Sequence, residues 1–175
     1  GLAWLAQLLA WLSGWMAIFA LVYLLTALLA GIFMQPALLD VVARQDYPEL
    51  ARLGETRFLA SVWNSLAASL VFVLGWLLSL PLWLIPGLGL LLPLLLLAWF
   101  NRQVFAFDAL AEHATPGEWQ AIRRAHAGPL FLLGLILALL AHVPLLGLLV
   151  PALAALAYIH YGLAALRALR GGALL

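Results

Sequence analysis

Arginine at the edge of a long apolar segment can do one of two things: hold an anion, or fix the end of the segment at the lipid headgroups. Arg57, Arg102, Arg123 and Arg124 all stand in such places. A guanidinium offers a planar fork of N–H donors and a helix start offers free amides, so together they can bind a tetrahedral oxyanion. Anchoring is the commoner use of arginine beside apolar blocks, and the sequence leaves both roles open for each of the four.

Ser61, Ser65 and Ser69 recur every four residues and so share a helix face, with Asn64 beside them. In lipid, small residues at that spacing let helices approach closely and hydrogen-bond to one another, although they could also line a polar path. His142 and His160 are ionisable residues in apolar stretches, which makes them candidates for proton-linked or interfacial roles. No two histidines stand at i, i+4 and no carboxylate lies near these two in sequence, so neither a metal nor another cofactor is predicted. No hydrolase triad, phosphate loop or pair of intramembrane carboxylates can be assembled, and the expected protein is not an enzyme.

The elements that must position these residues follow from composition. The chain is 67% hydrophobic and 9% charged, with a mean hydropathy of +1.15, where soluble domains are roughly half apolar and a quarter charged. So few polar residues cannot cover a soluble surface. An all-α integral membrane protein is predicted, with residues 1–175 as one membrane domain. No basic patch with interleaved aromatics appears, which excludes nucleic acid as a partner. The lack of cysteine excludes disulfides, thiolate metal sites and cysteine nucleophiles. Gly1-Leu2-Ala3-Trp4 has no basic region before it and does not read as a signal peptide, so an internal start is expected. All cations are arginine, and with so much Leu and Ala this suggests a GC-rich bacterial genome.

Charge is confined to residues 40–57, 102–124 and 167–170, leaving charge-free blocks over 1–39, 58–101 and 125–166. Each block exceeds the ~20 residues of a spanning helix and has room for a helical hairpin. The second and third blocks carry interruptions where a turn belongs. Pro86, Gly89 and Pro93 match Pro144, Gly147 and Pro151 at one constant offset of 58 residues, which is an internal repeat. Proline breaks the helical ladder, and glycine permits the positive φ of a tight reversal. Pro93 and Pro151 are predicted in the first turn of each returning helix. The arm from Leu88 to Asn101 would then be roughly 21 Å long, short of the ~30 Å hydrocarbon core. A hairpin that enters the bilayer without fully crossing is expected, with two proline kinks in long helices as the alternative. Hairpins would place all three charged clusters on one side, which the positive-inside rule makes cytoplasmic.

Residues 1–39 hold a span from Gly14 to Met34, preceded by Trp4, Trp11 and Trp15 as an interfacial belt. Pro36 opens a short amphipathic stretch with Asp40 and Arg44 at i, i+4 and with Leu38, Val41 and Val42 as apolar contacts. Residues 58–101 are the first hairpin. Thr115-Pro116-Gly117-Glu118 is a capping-box start, whose helix is expected to run through Trp119, Ile122 and His126 into a second hairpin, the whole unit covering 115–166. Phe107 to Ala114 is expected to be a surface connection.

Met34-Gln35-Pro36-Ala37-Leu38-Leu39-Asp40, Ile85-Pro86-Gly87-Leu88-Gly89, Ala98-Trp99, Phe107-Asp108 and Val143-Pro144-Leu145-Leu146 with Pro151 follow one another along the chain. Most of the sequence resembles the CysZ family, also called the etoposide-induced-protein-like membrane domain, in which such segments occur in this order. The resemblance implies a helical membrane protein with short, partly penetrating hairpins and, for bacterial members, sulfate uptake for cysteine synthesis. The Gly-Leu-Arg segment that the family ties to sulfate near its N-terminus has no counterpart near the start here. The expected function is a permease or channel-like protein for a small oxyanion, sulfate foremost, in the bacterial inner membrane with its charged loops cytoplasmic. Its expected partners are the lipid bilayer, the anion and a possible second copy of itself. A non-transporting scaffold or bilayer-shaping protein is the alternative, since short hairpins suit that role equally well.

Overall fold

The computed structural model describes Trp4, Gln7, Trp11 and residues 34–54, 58–85, 87–143 and 146–172. The first predicted span up to residue 33, together with Arg57, Pro86 and Pro144, lies outside them. Among the described residues all regular structure is helical, as the composition predicts: α1 (residues 34–46), α2 (Phe58–Ser79), a 3-10 turn (Leu80–Leu84), α3 (Leu88–Leu110), α4 (Pro116–Ala125), α5 (Ala127–Leu140) and α6 (Leu146–Arg170). The segments Leu59–Leu84, Leu88–Leu110 and Leu146–Arg170 are long and apolar enough to cross a membrane; α4 with α5 makes a fourth if the two count as one bent span.

α2 and α3 form a hairpin. The face of α2 that meets α3 carries Asn64, Ala68, Phe72, Gly75 and Ser79, spaced by threes and fours as one side of a helix requires. Asn64 exchanges hydrogen bonds with Gln103, Phe72 packs on Phe100 with ring centroids 5.3 Å apart, and a Cβ on Gly75 would lie 3.0 Å from Leu96. On the other side Leu59, Trp63, Leu66 and Leu70 are exposed, as a lipid-facing surface would be. Ser61, Ser65 and Ser69 are one position on from the packing stripe and only half-buried.

The uncharged turn at the far end satisfies its own backbone. Leu88 N–H donates to Ile85 O and Leu91 N–H to Gly87 O, while the Trp83 indole donates to Ser79 Oγ and that hydroxyl donates to Trp76 O. A reversal with internal partners for its polar groups can lie within a membrane. The positive φ it needs is at Gly87 (φ 87°), the N-cap of α3, and not at Gly89, which is already helical.

α3 corrects the expected short arm. It runs 23 residues from Leu88 to Leu110, about 34 Å, and does not stop at Asn101. Nothing between residues 94 and 113 is Gly or Pro, and its charged and polar side chains reach partners without breaking the helix. The connection to α4 shrinks to residues 111–115, so Phe107 to Leu110 is helix. Pro93 and Pro151 likewise sit in the second turns of α3 and α6 and not the first. In each case the residue four positions back, whose carbonyl the proline ring crowds, is a glycine (Gly89 or Gly147).

α4 starts as predicted. Thr115 accepts from Glu118 N–H through its hydroxyl, and the Glu118 carboxylate accepts from Thr115 N–H at 2.8 Å. The helix does not continue into the apolar block: α4 and α5 meet at His126 with a bend of 76°. Pro129 accounts for it, because its ring crowds the carbonyl of Ala125 and it has no N–H to offer. α5 has 14 residues, about 21 Å. The short arm is therefore α5, in the second hairpin.

The α5–α6 turn closes through Gly147 N–H on Val143 O, while a ring nitrogen of His142 lies 2.7 Å from Ala138 O. A Cβ on Gly147 would stand 2.6 Å from the carbonyl oxygen of Ala141, whereas one on Gly89 would meet only ordinary contacts with Trp83, the nearest at 3.5 Å. Gly147→Val is accordingly expected to lower folded yield and detergent-solubilised Tm, by about 2 kcal/mol of stability, and Gly89→Val by clearly less. Equal tolerance in a side-by-side thermal melt would contradict this turn geometry.

α3 lies at the centre, packed by α2, α5 and α6. It crosses α5 closely, where Gly134 faces the backbone of Ala98. There Tyr158 of α6 donates to Leu130 O at 2.9 Å and stacks on Phe105. α1 covers the other end of α3 and α6, with Leu39, Val42, Ala43 and Tyr47 in the core; Val41 is exposed.

Candidate functional site

The two hairpins return the chain to one end, and the three charged clusters meet there. Asp40 of α1 pairs with Arg44 one turn on and with Arg52, and Arg52 reaches Glu112 after α3. Arg167 of α6 pairs with Glu49 and lies over the Tyr47 ring, 4.9 Å from its centre. Arg170 draws the most elements together. Its guanidinium donates to both oxygens of Glu118, to Ala51 O and to His113 O. Charges spread over 130 residues of sequence thus share one end of the bundle, as the hairpin reading requires.

The Arg170 hydrogen bond, with help from Thr115, holds the Glu118 carboxyl down at about 2, below its ordinary 4.5. A depressed carboxylate stabilises the fold above the unfolded value and loses that contribution as pH falls through the folded one. The docking of α4 on the end of α6 is therefore expected to hold above pH ~4.5 and to weaken between there and pH ~2. Trp119 fluorescence should report the step, and Glu118→Gln, which can still cap, should remove it. A step of unchanged size in that variant would contradict the assignment.

His113 is buried in the α3–α4 connection, and burial first, then Arg52 and Arg170, pushes its pKa below the ordinary histidine range.

The other candidates are placed as follows. Arg102, half-buried on α3, reaches Ala127 O at 3.5 Å, the first residue of α5. Arg123 and Arg124 are exposed in the last turn of α4, where their charge complements the helix dipole. The three arginines thus flank the bend at His126. No side chain caps α5, and Gly128 in its first turn faces open space. His126 lies 2.7 Å from the Tyr161 hydroxyl through one ring nitrogen, and its other nitrogen is buried without a partner. Asn64 is taken up by Gln103, and Ser61 lies beside the Asp108 carboxylate, one oxygen of which is buried without a partner. His142 sits at the α5 C-terminus, and His160 is exposed, 3.9 Å from Asp46. Among the described residues no cluster could hold a metal ion. Gln103, His113 and His126 escape sequence reasoning, because their partners lie 35 or more residues away or on other elements.

Long apolar helices returning their charges to one end define a polytopic α-helical membrane protein. The family described as Sulfate transporter CysZ/Etoposide-induced protein 2.4 matches residues 1–151, and the chain belongs to it. No curated protein and no solved structure matches the chain.

Proposed function

We propose that this chain is a permease for a small oxyanion, sulfate foremost, and that the anion meets it at the α4–α5 bend. Family membership supports transport as the class of activity. One observation supports the place. Arg44, Arg52, Arg167 and Arg170 are matched by carboxylates, whereas among the described residues Arg102, Arg123 and Arg124 are not. Unpaired guanidinium groups next to an uncapped helix start give N–H donors and positive potential to an anion. α5, too short to cross alone, would carry that helix start into the membrane.

The charged end is the cytoplasmic side in this reading, since it carries the arginines. Single cysteines placed at Glu49 and Glu112 should then react with a membrane-impermeant reagent from the cytoplasmic side only.

The test of transport is labelled sulfate uptake by the purified protein in sealed vesicles, with phosphate and chloride as competitors. Saturable uptake that unlabelled sulfate suppresses is the expected result. Vesicles that accumulate no more than protein-free controls would favour the scaffold reading.

A further inference from the structure

Between the first turns of α2 and α4 and the last turn of α3 lies an apolar slot of about 230 Å3. Ala60, Phe107, Leu110, Ala111, Pro116 and Trp119 line it. Phe107 and Trp119 meet edge to face across 5.9 Å and make a rigid aromatic wall. The slot sits next to the exposed face of α2, where Leu59 and Trp63 are 78% and 73% exposed, so it continues a surface built for hydrocarbon. It also sits at the charged end of the bundle, which is headgroup depth for helices of this length.

Pro116, Trp119 and Arg123 stand at i, i+3 and i+7, on one face of α4. That face therefore carries the slot's wall and, one turn further on, an exposed arginine with no carboxylate partner among the described residues. Glu118, the helix's one acid, is turned to Arg170 and does not compete for it. An apolar slot open to the bilayer with an unmatched cation beside its mouth suits a molecule with a hydrocarbon tail and an anionic head.

We propose that this slot binds an anionic phospholipid, one acyl chain lying between α2 and α4 and the phosphate meeting Arg123. The slot lies at the first turns of α4, away from the α5 start, but Arg123 is common to this site and to the proposed anion site, so the slot and the arginine are varied separately. Its consequence is that α4, which carries the bend, is held at the membrane surface by a bound lipid.

The test is the thermal melt of the purified protein in detergent as phosphatidylglycerol, phosphatidylcholine or inorganic phosphate is added. Phosphatidylglycerol should raise Tm saturably, phosphatidylcholine should do so only at higher concentration, and inorganic phosphate, which can meet the arginines but not the slot, should not reproduce the phosphatidylglycerol shift. Arg123→Gln should raise the phosphatidylglycerol concentration needed roughly fivefold, the effect of one cation near an anionic surface, and bring it level with phosphatidylcholine. Ala60→Phe fills the slot and should abolish the lipid response. If that variant does not fold, Trp119→Ala removes the wall and should weaken the response to both lipids. Equal responses to the two lipids in the parent would overturn the proposal. So would inorganic phosphate that reproduces the phosphatidylglycerol shift, or a slot-filled or wall-less variant that answers lipid as the parent does. A parent that ignores lipid altogether also overturns it.

Discussion

Gly134→Val should be among the most damaging single substitutions in the membrane helices. A Cβ there would run into the carbonyl oxygen of Ala98 and lie 2.8 Å from the Tyr158 hydroxyl. Neither neighbour can yield cheaply: one is helical backbone and the other is fixed by its hydrogen bond to Leu130 O and by the Phe105 ring. Overpacking of this kind costs about 3 kcal/mol or more when backbone must move, and in lipid no hydrophobic term between helices offsets the lost contact. Tyr158→Phe, which removes only the hydrogen bond, should cost about 0.6 kcal/mol, the average for such bonds between membrane helices. Melts of the two variants in one detergent should therefore separate widely; a valine no worse than the phenylalanine would mean that α3 and α5 are not this close.

The second large effect is expected at Arg170. Its guanidinium ties the end of α6 to the start of α4, to the segment after α1 and to the α3–α4 connection through Glu118, Ala51 and His113. Arg170→Met keeps the apolar stem and removes every donor, leaving the half-buried Glu118 carboxylate without its cation. The loss should be about 2–3 kcal/mol. Arg170→Lys should recover only part of it, because an ammonium cannot span both Glu118 oxygens and two carbonyls. Protease cleavage between α1 and α2 should speed up in the methionine variant. Parent-like resistance and an unchanged Tm would show that the network is ornamental to the fold.

What could be read in the sequence was local or one-sided. The capping box at Thr115 and Glu118 needs only four adjacent residues, and the confinement of charge to three clusters already implied that two hairpins return it to one end. The matched Pro/Gly interruptions marked the places of both turns. What could not be read depended on partners. α3 was expected to end at Asn101 because charge begins there, yet Gln103 finds Asn64 and Arg102 finds Ala127 O, so the helix continues. The bend at His126 did have a signal, Pro129, three residues further on. Gly134 looks like any glycine in a leucine-rich helix until Ala98 is placed against it. The serine row was conspicuous by spacing, but the face that packs is set by where α3 lies and falls one residue to its side. Of the candidate site, the identities of Arg102, Arg123 and Arg124 were legible. That among the described residues they lack carboxylate partners while Arg52, Arg167 and Arg170 have them is visible only in three dimensions.

The central claim is that these three arginines serve an anion and are not mere anchors. It is tested most directly by the initial rate of labelled sulfate uptake into sealed vesicles holding equal amounts of correctly inserted parent or Arg102→Gln/Arg123→Gln/Arg124→Gln protein, at low and at high ionic strength. Glutamine keeps hydrogen-bonding capacity and removes charge. The account predicts that the triple variant falls at least about tenfold below the parent at low salt, and that the gap narrows at high salt, where screening already weakens the parent's attraction for the anion. A triple variant that takes up sulfate at the parental rate with the parental salt dependence would contradict it.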